Sequence, residues 1–412
     1  MPHVSPWGQM DLIRRRKVER NARGILQVWG GRLDRLTLFL RQSVQGGALW
    51  VPVLAVFTAL GIGGIVVALA TGQPRLALLA YQGLWEGAFG SPKALSETLV
   101  QMTPYVLAGL GIALAFHGGL FNIGAEGQLA LGAIVAAWIG YALPPLVGGT
   151  IPLFLHVPLA ILGGALAGAL WAAIPGWLKA RTGGHEVINT IMMNYIALLT
   201  ASYLLNGPMR DPSPTNVVAR TPRIAETARL PRLFADPDLR LHAGFLIALG
   251  MALLVAWLLW RTTLGFEIRT VGLNPHAARY AGIPIVRITV LTMAMSGFLA
   301  GMAGAVQVTG LNYRHELSFN LGYGFDAIAI ALLGKVHPLG VVLAAFLFGA
   351  LRNGASRMQF LTQVPVDLIS VIQALILMFV ASEAIIRALY RPLFRGAAEA
   401  EQMVLTRGWG EL

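Results

Sequence analysis

Phe116-His117-Gly118-Gly119-Leu120-Phe121-Asn122-Ile123-Gly124-Ala125-Glu126-Gly127-Gln128 decides how the rest of the chain is read. Long charge-free apolar runs flank it, from about Thr98 to Phe116 and from about Leu129 to Leu143. Four glycines, an Asn, a Gln and a carboxylate therefore stand where a membrane helix is expected. Backbone that breaks inside a bilayer is tolerated only where protein buries it or it lines a wet cavity. An ionisable residue at such a place marks a functional site by default. Further along, Phe319-Asn320-Leu321-Gly322-Tyr323-Gly324-Phe325-Asp326 repeats the pattern Phe-Asn-Ile/Leu-Gly, again followed within four residues by a carboxylate. Broken helices paired between two halves mark transport sites. The expectation is a transport pore with two matching breaks.

Composition supports the membrane. Of 412 residues, 56% are hydrophobic and only 12% charged, and there are 48 glycines; soluble domains carry roughly 25% charge. The net charge of +12 sits mostly in loops between apolar runs, so topology explains it better than nucleic acid does. No cysteine is present, which excludes disulfides, zinc-thiolate sites and Cys nucleophiles. The N-terminus does not look like a signal peptide, because the first apolar run begins only near Trp50 and is long enough to span.

Residues 1–45 hold Arg14, Arg15, Arg16, Lys17, Arg20, Arg23, Arg32, Arg35 and Arg41. They are read as a basic cytoplasmic extension touching anionic lipid. Residues 46–390 are the membrane domain, and 391–412 a cytoplasmic tail placed by Arg387, Arg391 and Arg395. The fold class is all-α integral membrane, with about ten spans (8–10) and both termini inside. Within it, Gly72 to Glu97 is expected as a polar connection, and Leu143-Pro144-Pro145 as a turn dividing the run from Glu126 to Lys179. A span from Val187 to Asn206 carries Asn194, as packing glue or as pore lining. Residues 207–240, with six prolines, six arginines and four acids, form an external loop whose arginines strain the positive-inside rule. Gly297-x-x-x-Gly301 suits close helix packing. Leu339 to Leu351 returns outward, and Val364 to Ile386 is the last span.

The segment 262–287 lies between two spans on the cytoplasmic side. Asn274 is a good N-cap, Pro275 suits the first helical position, and Gly282 followed by Pro284 is a good stop. This predicts a short helix with small alanines, Ala277 and Ala278, flanked by Arg, His and Tyr. It suits docking against another protein. No phosphate loop is present, since Gly334-Lys335-Val336 lacks the hydroxyl and sits at a membrane boundary. No nucleophile, metal or paired-carboxylate pattern stands out, and the lone His117 reads as structural.

Four motifs together resemble a known family. They are Gly118 to Gln128, His185-Glu-Val-Ile-Asn-Thr-Ile-Met-Met-Asn-Tyr, Val271-Gly-Leu-Asn-Pro-His-Ala-Ala-Arg-Tyr-Ala-Gly-Ile and Gly324-Phe-Asp-Ala-Ile-Ala-Ile-Ala-Leu-Leu-Gly-Lys. In this order, over about residues 95–385, they resemble the permease subunit of nucleoside-type ABC importers, within the group that includes ribose and branched-chain amino acid permeases. The resemblance implies a type II-like importer fold in a bacterial inner membrane. It further implies a second homologous permease, a separate ABC ATPase and an external substrate-binding lipoprotein, with no enzymatic activity or cofactor of the chain's own. Glu267, Gly272, Asn274, Ala277, Ala278 and Gly282 would form the ATPase-coupling segment. The breaks would line the solute pathway, through Phe121, Asn122, Glu126, Gln128 and Asn194 in the first half. Phe319, Asn320, Tyr323 and Asp326 would do so in the second. Nucleosides are the first choice of substrate and a ribose-like sugar the second. The rival from another class is an ion-coupled carrier with Glu126 and Asp326 as its coupling charges.

Overall fold

An apolar chain in a bilayer must satisfy every backbone N–H and C=O within the protein, and helices do this locally. The computed structural model describes residues 50–213, 218–316, 322–365, 367–382, 385–386 and 389–390. Among these, regular structure is helical, with two isolated β-bridges, Arg220 to Glu316 and Arg232 to His242. Eight helices are long and apolar enough to cross a membrane. They are α1 (Trp50–Thr71), α3 (Pro92–His117), α4 (Ala125–Leu146), α5 (Leu153–Thr182), α6 (Glu186–Asn206), α7 (Gly244–Arg261), α10 (Ile285–Gln307) and α12 (Pro338–Thr362). Shorter ones are α2 (Pro74–Phe89), α8 (Thr263–Leu273), α9 (Pro275–Tyr280), α11 (Tyr323–Leu333) and α13 (Asp367–Ala381). The chain divides into two compact units, Met1–Thr58 with Ser382–Leu412, and Ala59–Ala381. Both breaks belong to the second.

In that unit α3 is the innermost element, with every residue from Met102 to Ala115 buried. A helix apolar all round belongs in a core. Helices α7, α10, α11 and α12 surround α3, and α10 also lies along α5 and α4. The small face containing Gly297 and Gly301 meets α5, as its spacing predicts.

Two stretches differ from expectation. Gly72 to Glu97 is not a mere connection, since it holds α2, started by Pro74, and the first turn of α3. It is fastened to α12: Glu86 pairs with Arg357 at 3.6 Å, and Asn353 Nδ2 donates to the carbonyls of Gly87 and Ala94 at 2.8 and 2.9 Å. Likewise α12 does not stop at Leu351 but runs to Thr362, because Arg352 finds partners inside the bundle. Elsewhere the boundaries shift: Pro144 and Pro145 lie within the last turn of α4, and the last regular helix is the shorter α13.

The described residues between Gly207 and Ala243 are knitted to one end of the bundle. Ala225, Ile224 and Leu230 donate backbone N–H groups to the carbonyls of Gly140, Tyr313 and Thr309, each at 2.9 Å. Arg240 grips Glu97 with two hydrogen bonds of 2.7 and 2.6 Å, and Arg229 lies 5.0 Å over the Tyr313 ring. Arginines that looked like a topological anomaly thus hold a cap in place.

Beneath this cap burial pushes His242 down to about 4 and His315 down to about 3, from an ordinary 6.5. Both are therefore neutral in the folded cap at pH 7. Between about pH 6.5 and pH 4 the unfolded cap binds more protons than the folded one, so stability falls as pH falls through that window. Hydrogen exchange over residues 219–231, corrected for intrinsic rate, should be faster at pH 4.5 than at pH 7. Equal protection at the two values would show that neither histidine matters to the cap.

Candidate functional site

Seven residues without helix inside an apolar bundle leave backbone groups that need partners. Between α3 and α4 the N–H groups of Gly118, Gly119 and Leu120 turn back to carbonyls of α3, and side-chain amides serve Ile123 and Gly124. Asn122 Oδ1 accepts from Gly124 N–H (3.0 Å) and from Gln128 Nε2 (3.0 Å), while its Nδ2 donates to Gln128 Oε1 (2.9 Å) and Ser296 Oγ (2.8 Å). Asn194, reaching in from α6, accepts from Gly127 N–H and donates to the Ile123 carbonyl, both at 2.8 Å. All three amides are buried and hold the first break in shape. Phe121 packs on Phe116, ring centroids 5.0 Å apart. Helix α4 starts at Ala125, so Asn122 stands outside it.

The second break ends where α11 starts, after Gly322 at φ 83°. Phe319 and Asn320 lie outside the described residues. The carboxylate serving this helix comes from the other half of the chain. Glu126 Oε2 accepts from Gly324 N–H at 2.6 Å, and Oε1 from Gly322 N–H at 3.2 Å. A Cβ on Gly324 would sit 2.5 Å from Glu126 Cα and 2.7 Å from Ala125 C, so the two helix starts touch backbone to backbone.

Their depth follows from helix length. Eleven residues of α11 rise about 16 Å, half of a hydrocarbon core of about 30 Å. The far end of α11 lies beside His117, whose Nε2 donates to the Val336 carbonyl at 3.1 Å. The far end of α4 lies at the cap, through Gly140. The two helices therefore run apart from a shared origin near mid-depth, and Glu126 answers the positive ends of both dipoles.

Beside this origin is a polar cluster. Tyr105 Oη donates to Asp326 Oδ2 (2.7 Å) and accepts from Arg352 Nη1 (2.8 Å), which stands 3.6 Å from the same carboxylate oxygen. The Arg352 guanidinium lies 4.3 Å over the Tyr323 ring, and Tyr323 Oη donates to Gln101 Oε1 at 2.9 Å. Sequence reasoning named Tyr323 and Asp326 but missed Tyr105 and Arg352. An arginine interrupting the run after Leu351 was the available signal for one; Tyr105, in an apolar helix, gave none.

At the opposite end from the cap, Asn274 caps α9 by accepting from Ala277 N–H at 3.0 Å, and Gly282 at φ 77° follows it. Ala278 is buried and Ala277 exposed, while Leu273 and Tyr280 are 87% and 95% exposed, an apolar surface offered outward. Glu267 is half-buried on α8. Gly272 rests on the first break, since a Cβ there would collide with the His117 carbonyl and lie 2.7 Å from Gly118 C and Gly119 N. His117 is thus a structural junction between segments. It touches this segment, packs edge-on against Trp260 at 5.6 Å, and holds the turn after α11, where Lys335 and Val336 take φ of 51° and 59°. A β-branched residue there carries strain of order 1–2 kcal/mol. No cluster of three or more His, Asp or Glu fit to hold a metal occurs among the described residues.

Comparison with known proteins agrees with this architecture. The chain is 41% identical over 343 residues to the guanosine ABC transporter permease protein NupP of Bacillus subtilis, covering 82% of this chain and 94% of the relative. It is 36% identical to the glucose ABC transporter permease protein TsgB13 of Haloferax volcanii, covering 80% and 86%. With the nucleoside ABC transporter permease protein NupB of Lactococcus lactis it shares 35%, covering 82% and 92%. No solved structure matches. The family model for the permease component of branched-chain amino acid transport systems matches residues 94–381, which takes in both breaks, the polar cluster and the α8–α9 segment, and the chain belongs to that family.

Proposed function

We propose that this permease forms the solute passage of an ATP-driven importer of nucleosides. The observation that carries the passage is the meeting of two broken helices near mid-depth around Glu126. The substrate class is supported by the relatives named for guanosine and for nucleosides, with a sugar second because of the glucose permease. The chain is not an enzyme; ATP hydrolysis lies in a separate subunit. An ion-coupled carrier is disfavoured, because both Glu126 oxygens accept backbone N–H groups and Asp326 is engaged by Tyr105 and Arg352.

In this reading α8 and α9 face the cytoplasm and dock the ATPase through Leu273, Ala277 and Tyr280. A second permease completes the passage, and a substrate-binding lipoprotein meets the cap from outside. Residues 1–45 and 391–412 are cytoplasmic, at a bacterial inner membrane. Glu126, Tyr323 and Asp326 border the passage, with Phe121 nearby. Asn122, Gln128 and Asn194 shape its wall.

The assembled complex in proteoliposomes tests this. Guanosine or inosine should enter on ATP, and an ion gradient without ATP should drive nothing. Ala277→Trp, on an exposed site, should leave folding intact and lower both uptake and solute-stimulated ATP hydrolysis at least tenfold. ATP-driven uptake of glucose but no nucleoside would move the substrate to sugars. Normal coupling in Ala277→Trp would make α9 an interfacial helix only.

A further inference from the structure

We infer that Thr221 is a positioning residue for transport, tying an outer strap, residues 219–230, to the lead-in of the second break, residues 308–316. Through that tie a protein docked on the cap fixes the start of α11. The inference rests on reading the chain as an importer's passage, with the cap end outside.

The lead-in does not hold its own shape. After α10 the chain makes a π-turn, Val308–Asn312, and Tyr313 follows at φ 56°. Such turns recur at functional sites, and a bulky left-handed residue persists only where its surroundings enforce it. The strap supplies that enforcement. Leu230 and Ile224 donate N–H groups to the Thr309 and Tyr313 carbonyls, each at 2.9 Å. Thr221 and His315 bond in both directions. Thr221 N–H donates to the His315 carbonyl at 2.9 Å, and His315 N–H donates to Thr221 Oγ1 at 3.0 Å. The same hydroxyl donates to the Pro222 carbonyl at 3.1 Å. Of the bonds from strap to lead-in, this one alone takes its acceptor from a side chain. Backbone bonds survive substitution, so the register of the two segments depends on the buried Thr221 hydroxyl. Tyr323, where α11 begins, stands eight positions after His315.

The strap also reaches the first half. Ala225 N–H donates to the Gly140 carbonyl near the outer end of α4, and Thr227 Oγ1 lies 2.9 Å from His156 Nδ1 on α5. Helix α4 carries Glu126 in its first turn, and Glu126 caps α11. Strap, lead-in, α11 and α4 therefore close a ring. Packed and hydrogen-bonded elements joined in this way carry a shift imposed on one member to the others. The strap faces two ways. Ile224 and Ala228 are buried on its inner side, while Arg223 and Glu226 are exposed for a docked protein to meet.

The test uses the assembled complex in nanodiscs, with the importer's substrate-binding protein, freed of its lipid and loaded with guanosine, as the probe. Thr221→Ala should leave ATP hydrolysis without that protein unchanged and cut its stimulation by the protein at least tenfold. Thr221→Ser keeps the hydroxyl and should couple normally. Equal loss of basal and stimulated rates in Thr221→Ala would make the residue merely structural and overturn the role. The cysteine-free chain adds a rescue. Arg220 and Glu316 face each other across an antiparallel bridge, flanked by the Thr221–His315 bond. In that register Cα atoms lie about 4.5 Å apart, which a disulfide can span. In Thr221→Ala with Arg220→Cys and Glu316→Cys, oxidation should restore stimulation and dithiothreitol should abolish it. An oxidised complex that stays uncoupled would overturn the strap. If guanosine-loaded protein stimulates nothing in the unsubstituted complex, the proposed function fails. Amide exchange then decides on the strap alone: Thr221→Ala should speed exchange at Gly322 and Gly324 at least tenfold, and unchanged rates would refute it.

Discussion

Glu126→Ala is expected to give a complex that assembles poorly, unfolds at a clearly lower temperature and imports nothing. The carboxylate accepts two backbone N–H groups from the start of α11, at 2.6 and 3.2 Å. Hydrogen bonds to a charged group contribute about 1.5–3 kcal/mol each, and the donors would be left without partners at membrane depth. A combined loss of about 3–6 kcal/mol follows from those bonds. Glu126→Gln keeps the shape and one acceptor, but turns an amide NH₂ toward the second backbone donor, so it should lose about half as much. Thermal unfolding of the purified complex with radiolabelled uptake beside it measures both variants. An unchanged unfolding temperature for Glu126→Ala would contradict the cap. Wild-type uptake of several nucleosides by Glu126→Gln would show that the negative charge has no part in the passage.

The second large effect is expected at Gly272. It packs against backbone, the His117 carbonyl and Gly118–Gly119, so no flexible side chain can yield to an added methyl. Overpacking of this kind typically costs about 1–3 kcal/mol. Gly272→Ala should push α8 off the first break, and because α8 precedes the proposed docking helix, ATP turnover should detach from transport. The expected readout is at least a tenfold rise in ATP hydrolysed per nucleoside imported. Gly272→Val should fail to assemble. A Gly272→Ala complex with an ordinary ratio would mean that the contact is packing and nothing more.

Local chemistry made some elements legible. Asn274, Pro275 and Gly282 predict α9 because a cap, a fixed φ and a left-handed stop act within a few residues. The breaks show for the same reason, as glycines and a carboxylate interrupting apolar runs. What stayed hidden depends on distant partners. Nothing near Glu86 announces Arg357, so α2 read as a connection. Nothing near Leu351 announces Asp326 and Tyr105, so α12 seemed to end one residue before its most informative side chain. Asn122 and Asn194 looked as suited to a solute as to a wall, until the backbone groups they serve were in view.

The capping of α11 by Glu126 also sets a timetable. Its two partners lie 196 and 198 positions further along the chain. At about 5–20 residues per second, a growing chain presents Glu126 for about 10–40 s before Gly322 and Gly324 exist. During that interval the carboxylate has the dipole of its own helix to answer it but lacks the two N–H donors of α11. The junction between the two halves therefore closes only when the second half arrives.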